Sequence, residues 1–558
     1  MKIRFCLLPT AFCLLLSSAQ QPKPQEDLCA APPSGAAPSL PARLLPGQGR
    51  INMPITTKSR EAQEFFNQGV AQMHSFWSRE AERSFLQAAQ RDPEAPMPQW
   101  GIAMVAAGDY RPAFQLRDDG RKAAERPARP SAAPPPPKGF KAGPERAREA
   151  AVKAQQLGAR ASRREQLYIA AIAARRNPQS KDADADYIQA LRDLLREFPL
   201  EVEAKSYLAL ALMSGYTPGD KKPRPGTEEA IALLQQILKQ DPDHVGAHHY
   251  VIHGLEGSTR PQDAWQSCER YPQLAPQIPH ALHMPGHIYA QSDRWADAAA
   301  AFEAAARLER EEMAADQLYP NGHHGHNVHF LSSTYCFLGK YDEAMRNSAE
   351  LLELRENPRE AGQLTNNYTA YRQGWFARMR TLVRFERWDE ILGDHALPDY
   401  PAPYQRAWRH WAHGLAYASR GQIAPAHSEL KGMEAEMKAW QESAGLESPH
   451  LRTARLELLG HIEVHAGHKS KGLDTLERAA NMEIHLPYNE PPAYPRPVWE
   501  ALGKEALELR AWPRAASAFR RALEQNPGSP FAKEGLSAAL ARSDKTLAAV
   551  SPRTDASH

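Results

Sequence analysis

The stretch Glu80-Ala81…Phe85…Ala88…Asp92-Pro93 near the start of the chain has a counterpart near its end, Arg514-Ala515…Phe519…Ala522…Asn526-Pro527. In both, an alanine is followed by an aromatic four residues on, an alanine three further and a proline five after that. Ala230…Leu234…Ile237…Asp241-Pro242 keeps the frame with aliphatics in the larger slots. Steps of three and four place these side chains on one helix face. Alanine lets two antiparallel helices approach closely, the larger residue fills the space between pairs, and proline opens the next helix. Leu167 to Arg176, Tyr187 to Glu197 and Glu203 to Met213 carry the same spacing, and no stretch alternates convincingly as a strand does. These features predict an all-α chain of helix, turn, helix units.

Near the C-terminus, Trp499-Glu500-Ala501-Leu502-Gly503 precedes its alanine by the spacing of a first helix. Together these residues resemble the tetratricopeptide repeat, whose signature joins W-x2-L-G to A-x3-F and a terminal proline at a period of about 34 residues. The resemblance implies a right-handed α-solenoid of tetratricopeptide-like hairpins with a long concave face. Over roughly residues 51–540 the chain is also similar to a family of secreted bacterial tetratricopeptide proteins. That likeness is carried by Ile55-Thr56-Thr57…Glu61-Ala62-Gln63, Phe66-Asn67-Gln68-Gly69, Trp100-Gly101-Ile102-Ala103 and Glu165-Gln166-Leu167-Tyr168. Further along it rests on Pro242-Asp243-His244…His249-Tyr250…His253, His283-Met284-Pro285-Gly286-His287-Ile288-Tyr289, His326-Asn327-Val328-His329-Phe330-Leu331 and Glu490-Pro491-Pro492. It implies a fold and no activity. His74 stands where that family carries an aromatic, so no role passes to it.

The formal net charge of +2 with 24% charged residues gives no global field for nucleic acid or an anionic membrane. Met1-Lys2-Ile3-Arg4, the apolar run Phe5 to Leu16 and the small residues Ser17-Ser18-Ala19 have the form of a secretory signal. The expectation is export to the periplasm or beyond, with no transmembrane span in the mature chain. Of 5 cysteines, Cys6 and Cys13 would leave with the signal, and Cys29, Cys268 and Cys336 do not make a disulfide framework. The predicted organisation is a signal at 1–19, a loose leader at 20–50, helical repeats at 51–125 and a Pro-rich linker at 126–146. Helical repeats follow at 147–242, His-rich repeats at 243–355, further repeats at 356–545 and a tail at 546–558.

Three successive repeats align on Ala264, Ala298 and Ala344. Fifteen residues before each stand His249, His283 and His329; eleven before stand His253, His287 and Ser333. Glu256 and Cys336 lie eight before, and His326 lies eighteen before Ala344. Residues four or seven apart share a helix face, so the histidines form parallel rows on neighbouring helices. The same count from Ala81, Ala426 and Ala515 meets Phe66 and Val70, Trp411 and Leu415, and Glu500 and Lys504. The rows therefore belong to the middle repeats alone. The first-helix face lines the concave groove in tetratricopeptide proteins, so the resemblance places them there. The candidate metal ligands are His249, His253, Glu256, His283, His287, His326 and His329, for zinc, copper, iron or manganese. An alternative reading makes the groove a scaffold for a peptide or envelope protein. A third is a metal-dependent hydrolase or oxidase with Glu256 as base.

Neighbouring features take structural readings. His461 and His465 read as solvated, and His323-His324 as part of a Gly-flanked insertion around Gln317 to Gly325. Pro285 can start a helix and leave His283 outside it. The run from Glu490 to Pro497 shapes the approach to the Trp499 helix.

Overall fold

The computed structural model describes residues 41–116, 141–315, 322–354, 370–393, 395–399, 402–487, 489–492 and 494–550, with side chains to residue 543. Among these residues the chain is all-α; the one β feature is an isolated bridge between Tyr216 and Pro223. Consecutive helices pair as antiparallel hairpins: Arg60–His74 with Ser78–Arg91, Arg163–Arg175 with Ala183–Glu197, Pro279–Gln291 with Trp295–Ala315, and Val498–Glu508 with Trp512–Gln525. The first helices of neighbouring hairpins also touch, as Val245–Leu255 touches Pro279–Gln291, which is the stacking of a tetratricopeptide solenoid.

The turn inside the hairpin repeats as faithfully as the helices. Phe76, Asp293, Gly339, Gly421 and Arg510 all have positive φ, between 52° and 73°, and each stands five residues before its Ala81, Ala298, Ala344, Ala426 or Ala515. Most residues enter this left-handed region only at a cost, glycine excepted. Phe76, with φ of 52°, is the bulkiest side chain in that slot, and its ring lies against histidines of a distant repeat.

The solenoid curls back on itself. Helix Arg60–His74 packs directly on helix Val245–Leu255, and Gln291 reaches Glu490 across the molecule. Residues 41–50, expected in the loose leader, are held in place: Gln48 is buried and the Gly47 carbonyl accepts the Gln277 amide at 3.1 Å. The linker also ends earlier than expected, because Gly143 and Pro144 form the first turn of helix Gly143–Leu157, where a proline lacks nothing the helix needs. The signal, most of the leader and the last residues lie outside the described part, as does Cys29. Cys268 and Cys336 are buried free thiols. No helix among the described residues is long and apolar enough to cross a membrane.

Candidate metal centre

Three first helices carry the histidines. Helix Val245–Leu255 presents His249 and His253; Gly246 lets it meet the first repeat, since a Cβ there would fall 2.3 Å from His74 Nδ1. Helix Pro279–Gln291 presents His280, His283 and His287. Pro285 lies inside this helix and does not start it, so His283 has helical placement after all; Pro279 takes the opening turn. Gly286 brings Phe302 of the following helix close, where a Cβ would fall 2.4 Å from the ring. Helix Gly322–Phe337 presents His326, and its first turn holds His323 and His324, which are therefore not loop residues.

The donor atoms gather in two trios. Ring nitrogens of His249, His253 and His280 lie within 4.8 Å of one another, as do those of His283, His287 and His326. The His280 and His283 ring centroids, 6.0 Å apart, join the trios. His249, His253, His283, His287 and His326 are all at most 1% exposed.

Hydrogen bonds at Nδ1 fix where the protons are. His249 Nδ1 donates to the His74 carbonyl at 2.5 Å, and His253 Nδ1 to Glu256 Oε2 at 2.9 Å. His323 Nδ1 donates to Glu309, so its Nε2 accepts from His280 Nδ1 at 3.0 Å. In the tautomer with a single N–H at Nδ1, the Nε2 atoms of His249, His253 and His280 are left as lone pairs. The His249 and His280 Nε2 atoms face each other at 3.1 Å, and buried His253 Nε2 has no hydrogen-bond partner. Burial, reinforced by the neighbouring imidazoles, pushes His249 and His280 well below the usual histidine range, so neither gains a proton to fill the gap.

The second trio obeys the same accounting. Asn327 Nδ2 donates to the Phe302 carbonyl and to Glu309 Oε2, which turns Asn327 Oδ1 toward His283 Nδ1 at 2.7 Å. His283 Nε2 is therefore a lone pair, 2.6 Å from His287 Nε2. His287 Nδ1 lies between Glu256 Oε1, at 3.0 Å, and Glu490. Burial opposes charge on His287, but Glu490 and Glu256 outweigh it and raise its pKa to about 10. A protonated His287 would donate its Nε2–H to His283 Nε2 across this short gap. Neither ring nitrogen of His326 has a hydrogen-bond partner, and burial holds that ring neutral.

The predicted residues thus divide. His249, His253, His283, His287 and His326 are brought together. Glu256 lies behind them, each oxygen taking an Nδ1–H, one from His253 and one from His287; with both oxygens engaged and its carboxyl held low by those imidazoles against burial, it is a poor general base. His329 turns away to the next helix, where its Nδ1 donates to Gln373 at 2.7 Å. The rows do not line an open groove, because the first repeat and the Glu490 segment close over them. Phe76 lies 4.4 Å from the His249 ring and 5.2 Å from that of His253. Sequence reasoning missed His280 and His323. His280 was within reach, since it stands eighteen before Ala298 as His326 does before Ala344. As a whole residue His280 is partly exposed, and the His323 side chain is 29% exposed, so the rim there opens to solvent.

Two further groups serve as controls. In His74–Glu203–His244, His74 Nε2 donates to Glu203 at 2.6 Å and its Nδ1 accepts from the Tyr250 hydroxyl at 2.9 Å. His244 Nδ1 accepts the Ala247 amide, and its Nε2 faces Glu203 at 3.4 Å. His461, expected to be solvated, is buried; its Nδ1 donates to Glu505 and its Nε2 accepts from Arg496. His465 adds a bond to Glu505 at 3.2 Å. His74, Glu203 and His461 are hydrogen-bonded within the protein, whereas His244 Nε2, 3.4 Å from Glu203, makes no hydrogen bond.

No protein-family model matches the chain, and no curated protein does. Among solved structures, yeast Tom70 is similar at 10% identity over 88% of this chain and 91% of that one, with a TM-score of 0.26. The P58(IPK) TPR domain is 12% identical over 87% and 99%, with a TM-score of 0.23. The human IFIT1 dimer with m7Gppp-AAAA is 11% identical over 89% and 92%, with a TM-score of 0.30. At these scores the likenesses carry no argument, and the hairpin architecture rests on this chain's own packing.

Proposed function

We propose that this is a tetratricopeptide-type solenoid, exported on the reading of its N-terminus, whose middle repeats bind transition-metal ions through histidine Nε2 atoms. The observation that carries this reading is the His249–His253–His280 trio, where three ring nitrogens lie within 4.8 Å of one another while each Nδ1 is held by a partner behind its ring. Two nitrogens bound at 2.0–2.1 Å to one tetrahedral ion stand about 3.3–3.4 Å apart, close to the 3.1 Å between His249 and His280 Nε2. The backs of the rings are held by Glu256, Asn327, His323 and a backbone carbonyl, the outer-shell arrangement that orients ligating imidazoles. All-imidazole donation suits zinc, copper or iron better than manganese. Three protein ligands leave an ion with an open coordination position, which is the condition for Lewis-acid chemistry and for taking up a small ligand.

The rival reading, a peptide held by groove imidazoles, loses support because these rings are buried. A protein partner on the outer faces of the solenoid is compatible with metal in its interior. The test is metal analysis of the full chain without an affinity tag, after mild chelation. The proposal expects bound metal in the wild type and its loss in His253→Ala and in His283→Ala. Substoichiometric metal that neither substitution changes would remove it.

A further inference from the structure

The face of helix Gly322–Phe337 that begins at His326 continues through His329 and Ser333 toward Cys336. Opposite lies helix Ala370–Arg384, with Gln373, Arg380 and Thr381; His329 Nδ1 meets Gln373 Oε1 at 2.7 Å, and Cys336 Sγ meets Thr381 Oγ1 at 3.5 Å. His329, Ser333, Gln373 and Arg380 are at most 5% exposed. His329 Nε2, Ser333 Oγ, Gln373 Nε2 and Arg380 Nε have no hydrogen-bond partner.

Arg380 is the unusual member. Its Nη1 and Nη2 donate to the carbonyls of Tyr494, Pro495 and Pro492, which ties down the segment carrying Glu490. Among the described residues no carboxylate pairs with it. Burial lowers its pKa only to about 10, so it remains a guanidinium at neutral pH, and its charge contributes, after burial, to keeping His329 neutral. A buried cation without an anion, beside unused N–H and O–H donors, is costly in a protein that binds nothing there.

We infer that the seam between these two helices is an anion site that takes a small oxyanion, a carboxylate, phosphate or sulfate group, on Arg380 Nε, Gln373 Nε2 and Ser333 Oγ. The site stands on its own residues and does not require a metal.

The test is thermal unfolding of the full chain titrated with phosphate, sulfate or acetate against chloride at constant ionic strength, in metal-loaded and chelated samples whose metal content is measured. A saturable rise in Tm with at least one oxyanion and none with chloride is expected in both samples. Persistence after chelation separates this site from the metal centre, so either can fail alone. Ser333→Ala, which removes no hydrogen bond present in the protein, should weaken the oxyanion at least about tenfold and leave the anion-free Tm unchanged. Arg380→Gln should abolish the shift; if it fails to fold because the Pro492, Tyr494 and Pro495 carbonyls are released, Ser333→Ala and Gln373→Leu decide. No saturable shift with any oxyanion, or a shift of equal strength in the variants, would overturn the inference and leave the seam to water.

Discussion

His74 joins two buried histidine groups that contrast in one respect. Its side chain belongs to the His74–Glu203–His244 group, and its carbonyl accepts the Nδ1–H of His249 in the neighbouring trio. Both groups are enclosed by tetratricopeptide hairpins, and each offers three donor atoms within 4.8 Å. In the first, a chain of donors and acceptors runs from Tyr110 through Tyr250 and His74 to Glu203. In the second, the hydrogen bonds lie behind the rings and the lone pairs converge in front. Clustering of histidines therefore says little by itself. On the proposed reading, the placement of protons is what distinguishes the two groups.

The contrast is broken most forcefully by exchanging outcomes between the groups. Structural zinc contributes about 10–16 kcal/mol over about four ligands, or about 2.5–4 kcal/mol each. His283→Ala or His253→Ala should therefore weaken metal binding by some hundredfold or more, read by competition with a chelator of known affinity. His74→Ala should leave metal content unchanged while lowering stability by about 3–5 kcal/mol, because Glu203 loses its main partner in the interior. Urea unfolding of the chelated protein measures that loss. Loss of metal in His74→Ala with unaltered stability would reverse the assignment.

Intermediate effects sharpen it. Glu256→Gln keeps the shape but serves the Nδ1–H groups of His253 and His287 with one good acceptor instead of two; metal affinity should fall by about 10–100-fold, with all Nε2 ligands intact. The smallest expected effect lies at His465, whose pKa is raised by its bond to Glu505. A folded-state pKa above the unfolded value stabilises the protein below about pH 6.5, and the contribution disappears as pH rises through the folded value. His465→Ala should thus be less stable by under about 1 kcal/mol at pH 6 and converge with the wild type at alkaline pH, with metal content the same throughout.

The hairpin frame was legible because it is local. Ala81, Phe85 and Ala88 fix a helix face, and a positive-φ residue falls five before Ala81, Ala298, Ala344, Ala426 and Ala515. Counting from those alanines also recovered the rows His249/His283 and His253/His287. His280 escaped because the count of eighteen was applied to one repeat only. Glu490 could not be found this way: it reaches His287 through closure of the solenoid, across 199 residues from Gln291, and no repeat period encodes that. The same closure buries the rows that the motif places on a concave face. His329 shares the phase of His249 and His283 yet faces Gln373, since in the third helix the earlier His326 occupies the trio. Phase assigns a helix face; the neighbouring helix decides what that face meets.

The most direct measurement is an anomalous-scattering crystal structure of the metal-loaded full chain. It should show an ion bonded at about 2.0–2.1 Å to Nε2 of His249, His253 and His280, and a second such contact set at His283, His287 and His326. Anomalous maps without a peak at either trio, with waters or hydrogen bonds joining the rings instead, would contradict the account.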